Sequence, residues 1–166
     1  MGQSKAEHVI RVGVVDDEAL VRSGFSLILG AADDIEVVAT ASGGDAVGTI
    51  RRERPDVVLL DIRMPDVDGL TVLHQLRMMP NAPVVAMLTT FDTDEYVLTA
   101  LHSGAAGFLL KDTEPAQLAH LVRTLAAGGV VLSPKASRAL LHSHPGAEAA
   151  ADEEAARVKL LTPPRA

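Results

Sequence analysis

Five short, almost wholly apolar runs set the limits on what this chain can become. They are Val9–Val15, Ile35–Ala41, Val57–Leu60 leading into Asp61, Val84–Leu88 and Gly107–Leu110. A run apolar at every position, rather than at every second one, has to be covered on both faces. The intervening stretches supply that cover. Val21, Phe25, Ile28 and Leu29 fall at helical spacing, and Ser42-Gly43-Gly44-Asp45 reads as the capped start of a second helix with Val47 and Ile50 on one face. Leu70, Leu73 and Leu76 mark a short third helix. Asp92-Thr93-Asp94-Glu95 caps a fourth, which carries Val97, Leu98 and Leu101 and is closed by Gly104. Thr113 and Pro115 open a fifth, bearing Leu118, Leu121, Val122 and Leu125. This alternation predicts an α/β fold: a doubly wound, five-stranded parallel sheet in the order 2-1-3-4-5 with five flanking helices.

At 166 residues, 48% hydrophobic and 22% charged, the chain has enough apolar material for one soluble domain with some length to spare. The reading divides it into a tail over 1–8, a domain over 9–130, and an Ala/Glu-rich linker over 131–158 that includes a short helix at Pro134–Leu141. No apolar run approaches the roughly 18 residues of a membrane span, so no membrane partner is expected. The absence of cysteine removes disulfides and thiol chemistry and fits a reducing cytoplasm. A net charge of −7 and only 2% aromatic residues argue against nucleic-acid binding by these residues themselves.

Polar residues at the strand ends carry the chemistry. The first strand ends in Asp16-Asp17, the third in Asp61, the fourth in Thr89 and the fifth in Lys111. In the predicted strand order these four ends are neighbours at the carboxyl edge, where open α/β sheets bind ligands. Three carboxylates held together repel unless they take up protons or a cation. An all-oxygen ligand set with no histidine or cysteine favours Mg²⁺ or Mn²⁺. A divalent cation together with Lys111 stabilises a phosphoryl group in transfer, and Thr89 can donate a hydrogen bond to one of its oxygens. Lysine here is informative, because the chain has four lysines against eleven arginines and none but Lys111 between Lys5 and Lys135. Asp61 is the candidate nucleophile, forming an aspartyl phosphate.

Taken together, Asp16-Asp17, the segment Asp61-Ile62-Arg63-Met64-Pro65-Asp66-Val67-Asp68-Gly69, Thr89 and Phe108-Leu109-Leu110-Lys111 resemble the receiver domain of bacterial two-component response regulators. The resemblance covers roughly residues 9–130. It implies that Asp61 takes a phosphoryl group from a sensor histidine kinase, and that Asp16, Asp17, Asp61 and the backbone carbonyl of Arg63 hold Mg²⁺. It also implies that Thr89 and Phe108 act as a switch pair. Two positions depart from the family. The residue after the lysine is commonly proline, often with a cis bond, and here it is Asp112. A non-proline cis bond costs about 3 kcal/mol. The switch ring is Phe108, with no hydroxyl.

Leu88-Thr89-Thr90-Phe91-Asp92, Gly107 to Asp112 and Leu132-Ser133-Pro134 are similar to the NarL/FixJ subfamily. Its members carry a C-terminal helix-turn-helix of LuxR type, and residues 159–166 resemble the opening of such a domain. The implied output is transcriptional, with DNA bound through that further domain and homodimers formed through the first and fifth helices. The chain is thus expected to be a phosphoacceptor regulator rather than a turnover enzyme. Two other readings share the acidic sheet edge. A phosphohydrolase of haloacid-dehalogenase type uses Asp-x-Asp, whereas here the acids are adjacent. A degenerate receiver works by protein contact alone. Rossmann nucleotide binding lacks its G-x-G-x-x-G after the first strand. In isolation, Asp16, Asp17 and Glu18 read as a helix cap, Asp66 and Asp68 as turn residues, and Lys111 as a surface lysine.

Overall fold

The computed structural model describes residues 9–90 and 94–132, together with 137, 138 and 141. The sheet strands are β1 (Ile10–Val15), β2 (Ile35–Ala41), β3 (Val57–Asp61), β4 (Val84–Thr89), β5 (Gly107–Leu110) and β6 (Val131–Leu132). The helices are α1 (Ala19–Gly30), α2 (Ala46–Glu53), α3 (Gly69–Arg77), α4 (Asp94–His102) and α5 (Pro115–Ala126), and a 3₁₀ turn spans Gly43–Asp45. All strands pair in parallel, in the order β2-β1-β3-β4-β5-β6. The class is the one expected, but the sheet has six strands rather than five. Val131–Leu132, within the stretch read as linker, pairs with Gly107 and Phe108 of β5. The tail at 1–8, the short-helix segment around Pro134–Leu141 apart from 137, 138 and 141, the rest of the linker and residues 159–166 lie outside the described residues. So do Asp92 and Thr93 of the expected α4 cap.

The side-chain alternation of β3 shows why its run is apolar throughout. Val57 and Leu59 point to one core layer and Val58 and Leu60 to the other. On the first face, Leu59 joins Val12, Val14, Ala86, Leu88 and Leu109 beneath Phe25 and Leu29 of α1 and Leu118, Val122 and Leu125 of α5. On the second, Leu60 joins Val85, Met87 and Phe108 beneath Ile50 of α2, Val72, Leu73 and Leu76 of α3, and Val97 and Ala100 of α4. Every residue of β3 is buried. Strand order reverses between β1 and β3, which opens a crevice at their carboxyl ends where Asp16 and Asp61 stand.

Helix ends reflect tertiary contacts as well as local sequence. Ser42 makes no side-chain cap bond, although the sequence reads it as a cap, and Glu114 rather than Thr113 precedes α5 with Pro115 opening it. Gly104, with φ +101°, ends α4 in the left-handed region, as its position in the sequence requires.

The short β6 depends on Gly107. A Cβ there would lie 2.2 Å from the backbone oxygen of Val131, too close for any side chain without displacing main chain. The Val131 N–H meanwhile donates to the Ala106 carbonyl at 3.1 Å. Gly107→Ala should therefore cost about 1–3 kcal/mol in urea unfolding. It should also speed amide hydrogen exchange at Val131 while leaving that of β3 unchanged. Unaltered exchange at Val131 would show that β6 does not rest on this contact.

Candidate functional site

The site is built at the ends of three strands. Asp16 follows β1 directly and is fully buried. Its Oδ1 accepts the Glu18 N–H at 2.9 Å, while its carbonyl accepts Nη1 of Arg22 at 2.6 Å. The acidic trio thus does help turn the chain into α1, but the carboxylate doing so is Asp16, since Glu18 at the N-cap makes no side-chain cap bond. Asp61 ends β3 and is 3% exposed, with its Oδ1 accepting the Arg63 N–H at 3.2 Å. Lys111, just past β5, reaches across to both: Nζ lies 2.8 Å from Oδ2 of Asp16 and 3.3 Å from Oδ2 of Asp61. A carboxylate oxygen from each of Asp16, Asp17 and Asp61 lies within 4.8 Å of the others, with Asp17 the more exposed member.

Thr89 ends β4, is 4% exposed, and its carbonyl accepts the Lys111 N–H at 2.9 Å. It therefore stands at the same edge, on the strand between those carrying Asp61 and Lys111. Arg63 enters through its backbone, on the exposed loop that leaves β3. Phe108 stands apart from the polar cluster: its ring is 1% exposed, in the core layer with Met87, Val97 and Ala100. The Lys111–Asp112 peptide is trans, like every other among the described residues. Asp68 turns out to cap α3, accepting the Leu70 N–H. Sequence reasoning did not single out Arg22; nothing in its spacing announces a bond to a carbonyl six residues back.

Electrostatics follow from burial. Asp61 is pushed up to about 6, first by desolvation and then by the charge of Asp16, against the lowering pull of Lys111 and the Arg63 N–H. Burial alone would lower Lys111, but its hydrogen bond to Asp16 and the charge of Asp61 outweigh that and raise it. Three carboxylates against one ammonium leave an excess of two negative charges in a cleft with two buried members. The two Oδ2 atoms that share Lys111 are fully buried and face its ammonium. Such a donor set fits a hard divalent cation.

Comparison with known proteins decides the family. Residues 12–123 match the response regulator receiver domain. The chain belongs to the response-regulator receiver family. It is 40% identical over 124 residues to the uncharacterized transcriptional regulatory protein YxjL of Bacillus subtilis, covering 74% of this chain and 56% of that protein. It is also 40% identical over 127 residues to the transcriptional regulatory protein UhpA of Escherichia coli, covering 76% of this chain and 63% of that one. The signal receiver domain of the putative response regulator NarL from Mycobacterium tuberculosis superposes with a TM-score of 0.69 at 37% identity, covering 73% of this chain and 98% of that domain. The receiver thus resembles regulators of the NarL and UhpA kind, and spans about three-fifths of the length of these curated relatives. No described helix is long and apolar enough to cross a membrane.

The raised Asp61 has a consequence for the stability of the metal-free receiver. A carboxyl whose folded value exceeds its ordinary 3.8 binds its proton more tightly in the folded state than in the unfolded one. Its contribution is complete below the ordinary value and is lost as pH climbs through about 6. In metal-free buffer, Asp61→Asn should therefore raise stability at pH 7.5 by about 1–3 kcal/mol. The variant should also flatten the decline between pH 4 and 6 in thermal denaturation. A variant less stable than wild type at pH 7.5 would mean that the bond to Lys111 outweighs the burial of charge.

Proposed function

We propose that this receiver accepts a phosphoryl group on Asp61 from the phosphohistidine of a sensor kinase, with a divalent cation, Mg²⁺ or Mn²⁺, held by Asp16, Asp17, Asp61 and the backbone carbonyl of Arg63. The observation that carries this reading is the sharing of one ammonium, Lys111, between two buried carboxylates, with a third alongside. When bound, the cation would supply positive charge to the phosphoryl oxygens. The chain's own residues do the rest. A deprotonated Oδ2 of Asp61 attacks phosphorus as the phosphorus–nitrogen bond of the donor breaks, and the electron pair leaves with the imidazole. Lys111, already within reach of Asp61, transfers its contact to a phosphoryl oxygen, and the Thr89 hydroxyl donates to another. Because attack needs the anion, metal-free Asp61 is a poor acceptor below its raised value.

Phosphorylation replaces the single carboxylate charge of Asp61 with about −1.5 to −2 on a phosphoryl group, a net change of at most about −1 at one point. The reading assigns the response to Thr89 and Phe108, which lie on adjacent strands, and through them to the surface of α4 and β5. Since YxjL and UhpA are transcriptional regulatory proteins and extend beyond the matched segment, the controlled output is taken to be a DNA-binding domain. The receiver itself makes no nucleic-acid contact in this reading. On metal and acetyl phosphate, the wild type should gain one phosphoryl group by intact-mass measurement. Asp61→Asn should gain none, Asp17→Ala should need more Mg²⁺, and Lys111→Ala should still bind Mg²⁺. Absence of any gain on wild type, or continued turnover of a phosphate ester, would overturn the reading in favour of a degenerate receiver or a phosphohydrolase respectively.

The proposed homodimer rests on α1. Leu20 and Leu27, two turns apart on one face, are 85% and 79% exposed. This helix packs beside α5, whose Arg123 makes a bidentate bond to Asp34 in the turn that follows α1. Apolar side chains so placed suit a self-complementary two-fold contact. Sedimentation should show a dimer favoured by fluoroberyllate, and a Leu20→Ser/Leu27→Ser double variant should remain monomeric while still taking up phosphate. A double variant that dimerises as wild type does would place the contact elsewhere.

A further inference from the structure

The loop between β3 and α3 carries Arg63, and two of the contacts that hold it lie at its stem and its tip. At its stem, the Gly69 N–H donates to the Ile62 carbonyl at 3.2 Å, and Gly69 packs so tightly that a Cβ would lie 2.3 Å from the Asp61 oxygen. At its tip, Oδ2 of Asp66 accepts the N–H of Gly44 at 3.1 Å, across to the turn that precedes α2. That turn has no cap of its own. Neither Ser42 nor Asp45 makes a side-chain cap bond, so a donor at the start of the helical segment is satisfied from a residue 22 positions away. The glycines make room for it. A Cβ on Gly43 would come within 2.4 Å of Cγ1 of Val67 and 3.1 Å of both Sδ of Met64 and Oδ1 of Asp66; one on Gly44 would meet Oδ2 of Asp66 at 3.2 Å. The loop therefore seats in a notch that exists because two adjacent residues lack side chains.

We propose that Asp66 and the Gly43-Gly44 step form a latch that holds this loop, and with it the Arg63 carbonyl, in the arrangement the divalent cation requires. Asp66 is thus a positioning residue for the metal site and not one of its ligands. The inference rests on the metal reading above and deepens it. A carbonyl ligand on a loop is useful only if the loop places it to within about 0.5 Å. The carboxylate ligands of this site sit at strand ends and need no such help. The loop does: beyond its stem bonds, the Arg63 N–H on Oδ1 of Asp61 and the buried Met64, it is Asp66 that ties its tip to a neighbouring element. Asp66 is exposed, so removing its side chain leaves the core untouched.

Calorimetric titration of the whole chain with Mg²⁺ alone tests the latch. Asp66→Ala should bind Mg²⁺ about tenfold more weakly than wild type, as loss of an orienting partner does at other metal sites. Asp66→Asn, which keeps an acceptor oxygen but no charge, should stay within about twofold of wild type. Gly43→Ala, whose new methyl group would meet Val67, should weaken binding as Asp66→Ala does; circular dichroism on each variant confirms that it is folded. Unchanged affinity in Asp66→Ala would overturn the latch. Equal losses in Asp66→Ala and Asp66→Asn would overturn it too, by showing that Asp66 acts through its charge. If wild type itself bound no Mg²⁺ the metal reading would fall and the latch with it, an outcome distinct from normal wild-type binding with indifferent variants.

Discussion

One ammonium held between two buried carboxylates is the interaction on which the rest of this receiver depends. Nζ of Lys111 touches Asp16 and Asp61 together. Isolated buried carboxylates are costly, and two of them side by side would take up protons. With Lys111 between them the pair tolerates burial only in part, as the upward displacement of Asp61 shows. The polar edge of the sheet is therefore left deliberately short of positive charge. On the proposed function, that deficit is what would make the edge receptive to a cation and then to a phosphoryl group.

The fold meets this demand by placing each charged group on a different strand. β1, β3 and β5 are not all neighbours, since β4 intervenes, so Lys111 must reach past the end of β4. The bond from the Lys111 N–H to the Thr89 carbonyl fixes where that reach begins. Thr89 is thus bound into the geometry of the site through its backbone as well as offering its hydroxyl. Burial of β3 on both faces does the corresponding work for Asp61, fixing its backbone within a packed slab.

Much of this is legible in the sequence, for a physical reason. A parallel strand buried on both sides must be apolar at every position, so β3, β4 and β5 announce their own limits, and the polar residues at their ends announce the functional edge. Short-range periodicity could not reveal β6. Two residues after a glycine pair make a strand only because β5 offers them a free edge. Nor could local patterns assign the cap at Gly43–Asp45, where the Ser42 and Asp45 beside it are passed over in favour of Asp66. Asp66 reads as a turn residue because its partner is distant in sequence. Phe108 reads as part of a switch only through the resemblance; from its surroundings alone it is a core aromatic in the layer with Met87, Val97 and Ala100.

The full burial of β3 bears on how any message leaves Asp61. A residue clamped between two packed layers has almost no freedom to recoil when its chemistry changes. Strain produced there must be relieved by whatever borders it and is less firmly held. Of the segments at that edge, the ones with room to yield are the exposed loop after β3 and the end of β5, where Leu110 and Lys111 are half-buried. Immobility at the centre thus converts a local event into displacement at the periphery, much as a fixed fulcrum makes a lever useful.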